Sequence, residues 1–156
     1  DDPLRGVTPL HPVVARQQAL AHYSVKQPQL IIANIVINGY AELGSEKAMK
    51  KAFDIFDSLR RPDQVTYSTM IKGYVNIGSE KAIEKAFKIY KSIGWPNKVT
   101  HNAMMQGFVT LGSEQAINKA LKIYSKIGSP TQVTHGIIIN GLFKFASEQA
   151  TNHKLS

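Results

Sequence analysis

A chain of 156 residues has the length of one domain, and the absence of cysteine excludes disulfides and thiolate metal sites. There is no apolar run of about 18 residues, which excludes a membrane-spanning helix, so no membrane partner is expected. The formal charge of +8 favours meetings with polyanions (RNA, DNA or an acidic lipid surface) and aids solubility in any case.

Along the chain, residues 1–10 read as an irregular lead-in. Asp1-Asp2-Pro3-Leu4 has neither the basic and apolar regions of a secretory signal nor the acid-poor look of a transit peptide. A processed chain would look the same, so the compartment stays open. Residues 11–29 align with a second helix and make half a repeat, with His11-Pro12 at its start.

From residue 30 to 156 the chain repeats itself. Gly39, Gly73, Gly107 and Gly141 are spaced by 34, as are Pro28, Pro62, Pro96 and Pro130, and likewise Ser45, Ser79, Ser113 and Ser147. About half the columns of Val65–Lys98 and Val99–Gln132 are identical. The units are 31–64, 65–98, 99–132 and a truncated 133–156.

Each unit reads as two helices. The first, near Ile31–Leu43, carries Ile32, Ile35, Val36 and Tyr40 at helical spacing. Gly44 stands where helices commonly end in a left-handed residue, and Ser45 follows as an N-cap with Glu46 in the next turn. The second runs to about Leu59, with Met49, Ala52, Phe53, Phe56 and Leu59 inward and Lys47, Lys50 and Lys51 outward. Pro62 closes the unit. The same grammar returns at Gly78-Ser79-Glu80 and Gly112-Ser113-Glu114, while period-2 alternation is not sustained. The expected fold is all-α: a right-handed α-solenoid of helix-turn-helix repeats with a 34-residue period. Solenoids need a polar cap at each end, so the truncated last repeat implies a longer parent protein or a neighbour over the open edge.

The tetratricopeptide pattern fits poorly, because its first-helix Trp is missing and the lone Trp95 lies between repeats. The units resemble pentatricopeptide repeats instead. Val65-Thr66-Tyr67-Ser68-Thr69-Met70-Ile71-Lys72-Gly73-Tyr74 is similar to that family's opening helix, and Val99-Thr100-His101-Asn102 and Val133-Thr134-His135-Gly136 keep the Val-Thr start. Pro62-Asp63 and Pro96-Asn97 match the family's closing pair, from which Pro130-Thr131 departs. The resemblance covers roughly residues 12–156. Its step is one residue short of the family's usual one, and Phe56, Tyr90 and Tyr124 sit offset from the usual aromatic place on the second helix.

The resemblance implies a module that reads single-stranded RNA about one base per repeat. Carried over by column, the base readers are Asn34 with Asp63, Ser68 with Asn97, and Asn102 with Thr131; Gly136 reads nothing. Ile31, Val65, Val99 and Val133 take the base-packing role. By the family's rules the implied core is U-A-pyrimidine. The residues alone also fit a plainer reading, in which the polar columns are a solvated helix face, Asp63 and Asn97 are turn residues, and the valines are core.

Lys47, Lys81, Lys85, Lys88, Lys119 and Lys122 recur on second helices as a solvated face, although Lys81 and Lys85 repel at four-residue spacing. No enzyme is indicated. His101 and His135 occupy a structural column, the repeated serines are caps, and no carboxylate pair or phosphate-binding glycine loop recurs. No cofactor or metal is expected. The alternative reading is a protein-interaction scaffold, or a structural subunit of a large ribonucleoprotein such as a mitochondrial ribosome, with other proteins of that complex as partners. Resemblance alone points to a mitochondrion or chloroplast.

Overall fold

A computed structural model describes residues 12–155. The lead-in over residues 1–10, and His11, lie outside the described residues. Among those described there are seven helices: α1 (Pro12–Leu43), α2 (Glu46–Ser58), α3 (Gln64–Ile77), α4 (Glu80–Ser92), α5 (Lys98–Leu111), α6 (Glu114–Lys126) and α7 (Gln132–Leu155). The chain divides into two compact units, Asp1–Ile32 and Ala33–Ser156.

In the first unit the described residues belong to α1, and Gln29, Ile31 and Ile32 are exposed. The sequence expects a new helix to open near Ile31, but α1 is a single helix through that position. The residue after the proline is Gln29, where later units place Asp63, Asn97 and Thr131. Glutamine is not among the short oxygen-bearing side chains that start helices, so no local signal opens a second one.

The second unit is built of helical hairpins whose turns follow from three residues. Gly44, Gly78 and Gly112 hold φ of 66°, 76° and 70°, a left-handed conformation that costs other residues about 1–2 kcal/mol. Ser45, Ser79 and Ser113 then cap the next helix, each Oγ accepting the N–H of Ala48, Ala82 or Ala116 at 3.1, 3.2 and 3.2 Å. Each such cap stabilises by about 1 kcal/mol.

The fourth hairpin does not form. The expected turn near residue 146 is absent, and α7 continues to Leu155. Ala146 stands in the glycine column and has no reason to leave the helical region. Ser147 is therefore not a cap: its hydroxyl donates to the Phe143 carbonyl within the helix, at 2.9 Å.

Helices α3, α5 and α7 pack side by side as one layer, and α4 and α6 lie against them as the second, with α2 joined to α3. One continuous core runs between the layers, with Ile37, Met49, Met70, Ile71, Ile83, Met104 and Met105 wholly buried. Burial of each such side chain contributes about 1.5–3 kcal/mol before entropy is charged against it. The glycine column at 73, 107 and 141 sets the spacing between repeats. A Cβ on Gly141 would fall 2.6 Å from Val109 Cγ2, and one on Gly107 would fall 2.9 Å from Val75 Cγ2.

Three residues of the expected first-helix stripe, Ile32, Ile35 and Val36, are exposed, and so is Phe53. Ala33, Ile37 and Ala41 hold the buried face instead. Val36 corresponds by the repeat to Met70 and Met104, which are wholly buried in the second unit's core.

The outward lysines have a role that periodicity does not show. Lys51, Lys85 and Lys119 stand one repeat apart, and their Nζ atoms lie 5.9, 5.9 and 5.6 Å from the ring centres of Tyr40, Tyr74 and Phe108. This ladder ties each second helix to its own first helix, at about 0.5–1 kcal/mol per exposed contact, and offsets the repulsion between Lys81 and Lys85.

Candidate nucleic-acid interface

The columns singled out from the sequence fall on the first helices and on the turns that open them. Val65, Val99 and Val133 are 57%, 46% and 64% exposed, a high value for valines at regular helix positions. Asn34, Ser68 and Asn102 are half-buried one turn further along, while Asp63 and Asn97 are exposed N-caps and Thr131 is half-buried. Ile31 is exposed but belongs to the first unit, and the site described here is that of the second.

Of the three expected pairs two are joined, each in its own way, and one is not. Asn34 Nδ2 donates directly to Asp63 Oδ1 at 3.2 Å. Asn102 and Thr131 meet through Thr134, whose hydroxyl donates to Asn102 Oδ1 at 2.9 Å and lies 3.0 Å from Thr131 Oγ1. Ser68 and Asn97 are not joined: the shorter serine donates back to the Val65 carbonyl at 3.1 Å.

Sequence reasoning missed the residues that organise these contacts. Thr66, Thr100 and Thr134 are the wholly buried polar side chains among the described residues. Thr66 Oγ1 lies 2.7 Å from Asn34 Oδ1 and 2.8 Å from Asp63 Oδ1, and it accepts the Asp63 N–H at 3.1 Å. In return Asp63 Oδ1 accepts the Thr66 N–H at 2.8 Å, so the pair is a capping box closed by a threonine. Asn97 Oδ1 accepts the Thr100 N–H at 3.0 Å, and the Thr100 hydroxyl donates to the Asn97 carbonyl at 2.9 Å. The signal was in the spacing, since Asp63, Asn97 and Thr131 each precede a threonine by three residues.

Burial pushes the Asp63 carboxyl up, but the Thr66 amide and hydroxyl and the Asn34 amide outweigh it and hold the group below its ordinary value. Asp63 is thus an anion that accepts donors. In the following repeats Asn102 Oδ1 accepts the Thr134 hydroxyl and Asn97 Oδ1 accepts the Thr100 N–H, and each side chain also carries an amide that can donate.

Between α3, α5 and α7 a trough of about 350 Å³ is lined by Val99, Asn102, Lys72, Asn76, Gln106 and Ile137, among others. It brings together one residue of the expected packing column, one of the expected reader column, a cation and further amides. Asn34, Asp63, Ser68, Asn97 and Thr131 do not line it. His101 and His135 stand away from it: their Nδ1 atoms lie 2.7 and 2.9 Å from the hydroxyls of Tyr90 and Tyr124, at the seam between repeats. Burial and the nearby Lys126 charge hold the His101 imidazole below its usual value, which keeps it a neutral structural partner. Among the described residues no three His, Asp or Glu side chains gather as a metal site, and no helix is long and apolar enough to cross a membrane.

Residues 65–94, which form α3, α4 and the turn between them, match the family model of the PPR (pentatricopeptide) repeat. The chain thus carries a pentatricopeptide repeat over this segment. Its neighbouring units repeat the matched segment in register, and the stacked helix pairs are the solenoid that such repeats build. No curated protein matches the chain. Pentatricopeptide repeats are in general non-catalytic modules that typically bind RNA.

Proposed function

We propose that this pentatricopeptide-repeat chain is a non-catalytic module that reads single-stranded RNA about one base per repeat. The readers are Asn34 with Asp63, Ser68 with Asn97, and Asn102 with Thr131. The packing residues are Ile31, Val65, Val99 and Val133, and the core read is U-A-pyrimidine from the N-terminal repeat onward. The observation that carries the reading is the trough lined by Val99, Asn102 and Lys72, where an apolar surface, an amide and a cation converge. A base needs the first for its face, the second for its edge and the third for its phosphate. Work on organellar transcripts, in a mitochondrion or chloroplast, is proposed on family grounds alone.

Fluorescence anisotropy with short labelled RNAs tests it. A U-A-pyrimidine oligomer is expected to bind more tightly than a scrambled one, with log affinity falling against log salt at about −0.7 per phosphate neutralised. Equal affinity for both removes the base code, and a flat salt dependence removes RNA.

A second reading, the protein scaffold, draws on the apolar surface of α7, where Ile139 and Phe143 are 62% and 76% exposed. It requires a protein partner that stays bound in pull-downs after nuclease treatment.

A further inference from the structure

Two of the three turns that open first helices in the second unit carry a planar side chain. The middle position of the turn is occupied in successive repeats by Arg61, Trp95 and Ser129. Trp95 is the lone tryptophan of the chain and is 89% exposed, whereas tryptophan is on average among the more buried residues. Its ring is unburied, yet its backbone is held. Gln64 Nε2 donates to the Trp95 carbonyl at 2.9 Å from the first turn of α3, and the Ile93 N–H just before it bonds the Tyr90 carbonyl at 3.1 Å. Pro96 and the N-cap Asn97 follow.

This anchoring ties the Trp95 backbone to the N-terminal end of α3, three residues before α5 opens at Lys98. Gln64 is the neighbour of Val65, and Trp95 stands two residues before the reader Asn97 and four before Val99, which lines the trough. Exposed cations stand on both turns, Arg60 and Arg61 ahead of α3 and Lys98 three residues after Trp95. A held, solvent-facing indole with cations on these turns suits a base that must leave its stack while its phosphate is neutralised. Aromatic faces and guanidinium planes are the two side-chain surfaces on which unstacked bases settle.

We infer that Trp95 is a stacking platform for a nucleobase flanking the one read by Ser68 and Asn97, with Arg61 its counterpart one repeat earlier. The inference rests on the RNA reading above and adds a contact outside the reader and packing columns. It applies to this chain's own turn, since Ser129 offers no plane at the third position.

The lone tryptophan makes the test direct. Labelled U-A-U-containing RNA is titrated with the full chain while anisotropy reports binding and tryptophan emission is recorded in parallel. Saturating RNA is expected to quench the emission along the same isotherm. Trp95→Leu is expected to weaken binding about tenfold, within the range for one stacked base, and Trp95→Phe to retain most of the affinity. Both variants should melt with the parent, because the ring is exposed. Binding by anisotropy with unquenched emission and an unchanged Trp95→Leu affinity overturns the platform and leaves the RNA reading standing. No binding of any RNA overturns both.

Discussion

Two stretches of this chain are the same and fold differently. Ser113-Glu114-Gln115-Ala116 starts a helix after a reversal, whereas Ser147-Glu148-Gln149-Ala150 lies inside one that never stops. The residue before each differs: Gly112 adopts φ of 70°, and Ala146 stays helical. The residues after also differ. Ile117 and Ala120 enter the core of the hairpin, while Thr151 and Lys154 at the same places are exposed. A capping signal therefore makes a hairpin only when a left-handed residue precedes it and an apolar face follows.

The contrast can be broken most forcefully from the packed side. Ala120→Lys copies Lys154 into a position of zero exposure, and is expected to cost at least about 3 kcal/mol in urea unfolding, through overpacking and charge burial together. A next, smaller effect separates two glycines of one column. Gly141→Ala drives a methyl into Val109, whose branched side chain is stiff at χ1, at an expected cost of about 1–3 kcal/mol. Gly39→Ala meets nothing within 4 Å and should stabilise by up to about 1 kcal/mol through helix propensity.

The junction residues themselves come third. Gly112→Ala is expected to cost about 1–2 kcal/mol because alanine resists that φ. Ala146→Gly should cost about 1 kcal/mol of helix propensity, and its signature is hydrogen exchange: amides over residues 147–155 lose protection while those of α5 and α6 keep theirs.

Smallest is the pH dependence. His101 has its folded value held below 6.5, so the folded state binds fewer protons than the unfolded one. Its contribution is complete above about 6.5 and is lost as pH falls below that value. Asp63, held below 3.8, behaves in the same sense in a lower window, being fully stabilising above that value and lost as pH drops beneath it. Denaturant midpoints measured across both windows should decline toward acid, and His101→Tyr should flatten the upper decline only.

Much of this architecture was legible because its causes are local. Gly-Ser-Glu at 78–80 and 112–114 contains a left-handed residue, a cap and a dipole partner, and the hairpins follow. The fused α7 was legible too, in Ala146, but the strength of the 34-residue period concealed one changed letter. What the sequence withheld depends on neighbours. Ile32 and Val36 have the spacing of a core stripe, yet both are exposed, while Met70 and Met104 in the Val36 column are wholly buried. Lys51, Lys85 and Lys119 look merely solvated until the rings of Tyr40, Tyr74 and Phe108 are found beneath them. For the site, the exposed columns were legible from register. The buried threonines that fix Asn34 and Asn102 were not, because each belongs to the next repeat.

The most direct measurement replaces Asn34, Ser68 and Asn102 together with alanine and compares RNA affinity with the parent at two salt concentrations. Loss of at least about tenfold, with unchanged salt slope, is the expected result, since amide and hydroxyl contacts to a base edge are removed and phosphate contacts remain. Unchanged affinity in a folded triple variant would contradict the assignment of the first-helix face as the surface that meets RNA.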